Sequence, residues 1–416
     1  MIASKYCIAR ARVDINHVFC FTFGYVYYCI IPFVCFEWEV DFQGITYENL
    51  LDIYRAIPDD RVAYYIISVL LIYLCFILGA VCGKSKYRII GPRVPQFSDV
   101  SFNFSQKVVY LIVIIMAMVI LYFNRASLFR GYVYLVTIDS YDSMRVLMSA
   151  FEFIITICTL YYLNSNPHFS FLRKVFNKWT FLLATYSLIL LTTGGRLYVI
   201  TSMLSIVIFL SFSNSIQLRI WGLLIFGVLT ALVMGLIGTS RLGFVGFDFK
   251  SSVFNVFEEP LYTNYSNLTY LLNYSPVNVI CTPITLFSSV VNLLPTTLFP
   301  WKLGVIKNIT DIYPNIEQPL GATHFYPSFN AGFGLILSML LFYFVGKCLR
   351  RIHKSYGDAG ITKRVIFCLV CANMAFSLFR DPVATSLIKN IVEFSVVMPW
   401  LISGLNYSIY RVVKNS

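Results

Sequence analysis

Apolar residues in this chain gather in long runs rather than alternating or tracing one stripe of a helix. The runs lie near 18–36, 62–82, 108–123, 146–164, 179–193, 197–213, 220–240, 332–347, 365–379 and 391–410. About 20 apolar residues in a helix cross the hydrocarbon core of a bilayer. The pattern therefore predicts an all-α, polytopic membrane protein of about ten transmembrane helices, one membrane domain over 1–416. A further run, 279–299, is apolar but broken by Pro283 and Pro295. One polar stretch is long, 241–331, and reads as a large loop between the seventh and eighth spans.

Charge orients the spans. With Lys5, Arg10 and Arg12 inside, strict alternation puts the basic segments around Lys84, Arg173, Arg219 and Arg350 inside as well. Asp14, Asp99 and Asp358 are the only acids on that side, as the positive-inside bias requires. The scheme closes only if 279–299 makes no single crossing; otherwise the basic Lys347 to Arg364 segment falls outside. We read 279–299 as re-entrant or lying on the outer face, a course tolerated where protein or a wet cavity surrounds the backbone. Both termini are then cytoplasmic and 241–331 is periplasmic.

Composition agrees. The 416 residues are 58% hydrophobic and 12% charged, about half the charge of a soluble chain. The net charge of +12 reads as cytoplasmic loop bias, not nucleic-acid binding. No cleavable signal peptide is evident, and 18–36 reads as the first span. The 11 cysteines mostly sit in apolar runs; Cys368 and Cys371 have no partner His or Cys at metal spacing. HExxH, P-loop, GxSxG and strand-borne GxGxxG patterns are missing. No metal and no cofactor is expected. Chemistry must use loops at the membrane surface, where a lipid-linked substrate is the natural one.

Four arginines fall at the outer face: Arg196 in Thr192-Thr193-Gly194-Gly195-Arg196, Arg241 after Gly238-Thr239-Ser240, Arg380 before Asp381-Pro382, and Arg130 in Phe129-Arg130-Gly131. Guanidinium forks match phosphate oxygens, so convergent arginines would clamp a pyrophosphate without metal. The plainer alternatives are snorkelling to lipid phosphate and, for Arg380, pairing with Asp381. His324 is the one histidine on the outer side and a candidate proton acceptor, or simply a hydrogen-bonded loop residue. Glu317 is the nearest loop carboxylate, placed to orient it or to be the base itself. Glu258-Glu259 reads as a helix-end cap. Tyr262, Tyr265, Tyr270, Tyr274, Tyr313 and Tyr326 suit sugar contact or an ordinary interfacial belt.

These residues resemble a known family. The order is a small-small-Arg turn opening a mid-chain span (Thr193-Gly194-Gly195-Arg196) and a Ser-Arg ending the next outward span (Ser240-Arg241). A Pro-x-x-x-x-Pro-x-Lys stretch follows (Pro295 to Lys302), and then a motif leading to a Phe-Gly turn (His324-Phe325-Tyr326-Pro327 to Phe333-Gly334). This is similar to the bacterial O-antigen polymerases, the Wzy-type oligosaccharide repeat-unit polymerases. The resemblance implies a metal-independent membrane glycosyltransferase fold shared with O-antigen ligases, in the bacterial inner membrane. It implies transfer of a growing glycan from undecaprenyl pyrophosphate onto the non-reducing end of a lipid-linked repeat unit at the periplasmic face. Implied partners are a flippase and a chain-length regulator. Implied site residues are Arg196, Arg241 and Arg380 at the pyrophosphate, His324 or Glu317 as base, and Lys302 and Tyr326 in substrate binding. One departure concerns the late turn, where many members carry an acidic residue before Asn-Phe-Gly; here Asn330 is split from Phe333-Gly334. Alternatives are an O-antigen ligase, another membrane glycosyltransferase using Glu37, Glu39 and Asp41, and a lipid-linked oligosaccharide flippase. A flippase needs charges deep in its spans, where only Glu152, Glu393 and a few others stand.

Overall fold

A computed structural model describes residues 15–38, 45–82, 106–125, 128, 143–166, 168–192, 195–213, 249–277, 283–294, 298–318, 322–357 and 359–415. Every regular element among them is helical. Apart from single turns at Phe171–Val175, Lys302–Val305 and Ile309–Ile312, the described helices are α1 (His17–Glu37), α2 (Ile45–Ala56), α3 (Asp59–Val81), α4 (Gln106–Phe123), α5 (Ser143–Ser165), α6 (Lys178–Thr192) and α7 (Arg196–Phe212). They continue with α8 (Phe249–Asn273), α9 (Ile284–Leu293), α10 (Phe325–Lys354), α11 (Ile361–Arg380) and α12 (Ala384–Val397, running on as Met398–Asn415).

Among the described residues, six segments are long and apolar enough to cross a membrane: α1, α3, Leu147–Ser165 of α5, α10, α11 and Ala384–Ile409 of α12. The chain is thus an all-α polytopic membrane protein. The shorter apolar helices Lys107–Phe123, Lys178–Thr192 and Arg196–Phe212 coincide with three further runs of the sequence. The 220–240 run lies outside the described residues. Within 279–299, α9 is a short helix, tied to α12 by the Asn292 amide, which donates to the Ala384 carbonyl at 2.9 Å.

α11 is the central helix. Val365 to Ala375 are buried without a break, walled by α1, α5, α7 and α12. α3 and α10 pack as a pair against α1. The lipid-facing sides carry bare apolar side chains, such as Ile67 and Leu70 on α3 and Leu111 and Met118 on α4.

Two elements depart from the sequence reading. The stretch expected as a large loop contains α8, a helix with Thr263, Asn264, Ser266, Asn267, Leu268 and Tyr270 buried. α10 starts earlier than the 332–347 run and breaks at Gly334, whose φ of 70° and ψ of 171° only glycine adopts readily. The turn folds Phe325 and Phe329 back over Phe342, with ring centroids 5.3 and 5.2 Å apart. The His324 to Phe333 segment is therefore a buried wedge, not surface loop.

α3 and α10 meet backbone to backbone. A Cβ on Gly79 would lie 2.0 Å from the Tyr343 carbonyl oxygen, and one on Gly346 would lie 2.4 Å from that of Phe76. Small residues at such a contact let dispersion act between main chains where lipid removes any hydrophobic drive. Phe21 stacks on Phe76 at 3.9 Å beside it. Gly346→Leu is expected to force the helices apart, at a cost of about 1–3 kcal/mol or more, read as a lowered melting temperature in detergent. Gly360→Ala, where a Cβ meets nothing within 4 Å, is the control expected to melt as wild type.

Candidate functional site

α11 breaks at Phe376, and its last turn, Ser377–Arg380, ends before Asp381 and Pro382. Pro382 has no N–H to continue the helix. Arg380 is left in the interior, its side chain 29% exposed, between two carboxylates. Its Nη1 lies 2.7 Å from Asp381 Oδ1 and its Nε 3.0 Å from Glu259 Oε1. The Tyr28 hydroxyl donates to the same Glu259 oxygen at 3.0 Å. The other Asp381 oxygen accepts from the Ser377 hydroxyl at 2.8 Å and from the Asn390 amide at 3.4 Å. Burial pushes the Asp381 carboxyl up from its ordinary value, against the pull of Arg380 and these hydrogen bonds.

Arg196 is the first residue of α7, behind a turn closed by the Gly195 N–H on the Leu190 carbonyl at 3.2 Å. Its charge reaches the Tyr27 hydroxyl, which Glu259 also faces. Tyr198, two residues along, lies within electrostatic reach of Arg380. Polar side chains of α1, α7, α8 and the end of α11 thus share one electrostatic neighbourhood: Arg380 touches Glu259 and Asp381 directly, Tyr28 touches Glu259, and Arg196 joins through Tyr27, which Glu259 also faces. The two guanidinium and two carboxylate charges cancel. Such a site can hold an anion once a carboxylate yields its guanidinium.

The other sequence candidates lie elsewhere. His324 is wholly buried. Its Nδ1 accepts the Tyr326 N–H at 3.1 Å and caps α10. A neutral ring with that acceptor carries its proton on Nε2, which donates to the Tyr28 carbonyl at 3.3 Å. Its main-chain N–H donates to the Ser266 hydroxyl at 2.8 Å. Burial pushes the imidazole down to about 3. Both ring nitrogens are taken, so the geometry is that of a cap and a tie between α1, α8 and α10, with no lone pair facing the arginines.

Tyr326 is also buried, its ring edge-on to Tyr65 at 4.9 Å. Lys302 is 2% exposed; its Nζ donates to the Asn292 carbonyl at 3.2 Å, to Asn292 Oδ1 at 3.1 Å and to the Leu294 carbonyl. It staples the chain after α9. Glu317 is exposed, its N–H on Thr269 Oγ1 at 3.1 Å and its side chain by Tyr265. Tyr265 lies roughly 9 Å further along α8 than Glu259, on another face. Arg241 and Arg130 lie outside the described residues. So do Glu39 and Asp41, while Glu37 is exposed and takes a hydrogen bond from Tyr54.

Of the sequence candidates, Arg380 is held by two carboxylates and Arg196 reaches that group through Tyr27; Glu259, expected at a helix end, is one of the two carboxylates. The only signal in the sequence was a pair of acids ahead of Pro260 in a stretch otherwise poor in charge. Among the described residues no three of His, Cys, Asp and Glu group as a metal site would. No protein-family model matches the chain, and no curated protein or solved structure matches it significantly.

A histidine whose folded value is depressed contributes stability above its unfolded value of about 6.5 and loses it as pH falls toward the folded one. The chain is expected to lose stability between about pH 6.5 and 3 partly through His324. His324→Asn keeps a capping acceptor without the titration. Thermal melts across this range should show a shallower acid loss for His324→Asn than for wild type.

Proposed function

We propose that this protein is an oligosaccharide repeat-unit polymerase of the O-antigen type. On this reading it crosses the bacterial inner membrane about ten times with both termini cytoplasmic. It carries the glycosyltransferase fold shared with O-antigen ligases and works at the periplasmic face. It transfers a growing glycan from undecaprenyl pyrophosphate onto a fresh lipid-linked repeat unit, alongside a flippase and a chain-length regulator. The observation that carries the reading is Arg380, half-enclosed among apolar helices and held in place by two carboxylates, with Arg196 in the same polar group.

Pyrophosphate leaves readily once its developing charge is stabilised. Fixed guanidinium groups in a partly enclosed site do that without reorganising at the moment of reaction. Arg196 and Arg380 come from different helices and would meet a diphosphate together; Arg241 would extend the clamp. Asp381 holds Arg380 in its rotamer before substrate arrives. An apolar wall around the site suits a substrate whose tail stays in the bilayer.

The test is a gene deletion in the native host, complemented with wild type, Arg196→Ala, Arg380→Ala and Arg380→Lys, and read as surface polysaccharide on a gel. Deletion is expected to leave one repeat unit on its acceptor and no ladder. Each alanine variant is expected to lose the ladder, with transfer down about 10²–10³-fold for one lost charge donor. Loss of even the single unit would point to transport or ligation and overturn the reading. Full ladders from every point variant would overturn the site.

A further inference from the structure

We propose that Glu259 is the proton acceptor of the transfer, freed for that task when a pyrophosphate takes over Arg380. The proposal rests on the polymerase reading above. Of the carboxylates beside Arg380, only Glu259 is free to exchange. Asp381 is 7% exposed on its side chain and has both oxygens engaged, by Arg380 on one side and Ser377 and Asn390 on the other. Glu259 is 26% exposed and meets Arg380 and Tyr28 through Oε1 alone. Its Oε2 makes no hydrogen bond among the described residues. The other candidate bases are badly placed, since His324 spends both nitrogens on structure and Glu317 lies beside Tyr265 and Thr269, on another face of α8 from Glu259.

Electrostatics drives the exchange. The group of two guanidinium and two carboxylate charges is neutral before substrate binds. A pyrophosphate diester brings about two negative charges and competes for Arg380 with charge-assisted hydrogen bonds. The displaced carboxylate then has no guanidinium on it and is open to the acceptor sugar's hydroxyl. The α8 backbone need not move: the Asn264 amide holds the Tyr28 carbonyl at 2.7 Å, and Ser266 holds the His324 N–H. Only the Glu259 side chain turns, with the Tyr28 hydroxyl still on it. In the step itself the acceptor sugar's hydroxyl oxygen bonds to the anomeric carbon. The anomeric C–O bond to the pyrophosphate breaks, and its electron pair leaves on the pyrophosphate under Arg196 and Arg380. The hydroxyl proton passes to Glu259 and from there to water.

The experiment uses the purified full chain, with farnesyl pyrophosphate as binding probe and lipid-linked repeat units in single-turnover transfer. Glu259→Gln is expected to bind farnesyl pyrophosphate at least as tightly as wild type, because Arg380 has lost its competitor. Its transfer is expected to fall about 10²–10⁴-fold, and its rate to lose the acid limb of the pH profile. Added formate is expected to restore part of the rate to Glu259→Ala. If binding falls along with transfer and formate restores nothing, Glu259 only positions Arg380 and the proposal is overturned. Unchanged transfer in Glu259→Gln overturns it as well. Wild-type transfer that survives Arg196→Ala and Arg380→Ala sinks the clamp reading instead, a result distinct from either.

Discussion

One main-chain carbonyl, that of Tyr28, organises the upper half of the described helices. α1 widens to π-helical turns over Val26–Ile30, and widened turns shift the hydrogen-bond register. The Tyr28 oxygen then accepts from the Asn264 side chain of α8 at 2.7 Å and from His324 at the head of α10 at 3.3 Å. The same residue's hydroxyl donates to Glu259. A buried carbonyl without partners costs free energy, so α8 and α10 must seat where their amide and imidazole reach it. That seating fixes the height of Glu259 relative to Arg380. The Thr323 N–H on the Arg380 carbonyl at 2.7 Å then ties α11 into the same knot.

The charges at this knot do not explain themselves by stability. Taking an arginine and two carboxylates out of water costs several kcal/mol per ion, and packed apolar side chains in their place are often as stable or more so. In a bundle walled by lipid the cost has even fewer offsets, and ionisable residues that persist there face one another or a functional path. Arg380 does face its own neighbours, yet Glu259 and Arg380 both keep part of their surface open. A purely structural ion pair gains by closing completely. A pair left open, with one carboxylate oxygen unspent among the described residues, has room for a third charged partner.

Much of the fold was legible because lipid imposes a length on apolar runs, and the runs here are bounded by basic loops. α8 was not, because its buried residues are polar. Thr263 and Asn264 satisfy themselves on carbonyls four residues back, at 2.8 and 3.1 Å, so a buried helix reads as a polar loop. Arg380 was legible through its Asp-Pro neighbours, which stop a helix and supply a counter-charge. Glu259 was not: its partners Tyr28 and Arg380 lie far away in sequence, and no local pattern marks a carboxylate that folding will pair. His324 stood out correctly as unusual, but a helix cap and a proton acceptor ask the same thing of an imidazole, one available lone pair. Only the burial and the Tyr326 N–H tell them apart.

A second widened helix lies across the site from the first. α12 is π-helical over Ala384–Val397. Its Asn390 carbonyl accepts the Ser395 hydroxyl at 2.7 Å, and its Asn390 amide reaches Ser377 at 2.5 Å as well as Asp381. Arg380 therefore sits between two helices that both depart from regular winding, and each departure puts polar groups on one of its two carboxylates: Tyr28 on Glu259, Asn390 on Asp381. Widened turns are uncommon and frequent at functional sites. The two sides differ in one respect that matters chemically. On the far side two donors, Ser377 of α11 and Asn390 of α12, close around Asp381 and fix it, whereas on the α1 side, among the described residues, a single phenol holds Glu259 by one oxygen. The asymmetry leaves Arg380 with one tightly held counter-ion and one loosely held one, and on the proposed reading the looser one is the partner a substrate anion would replace.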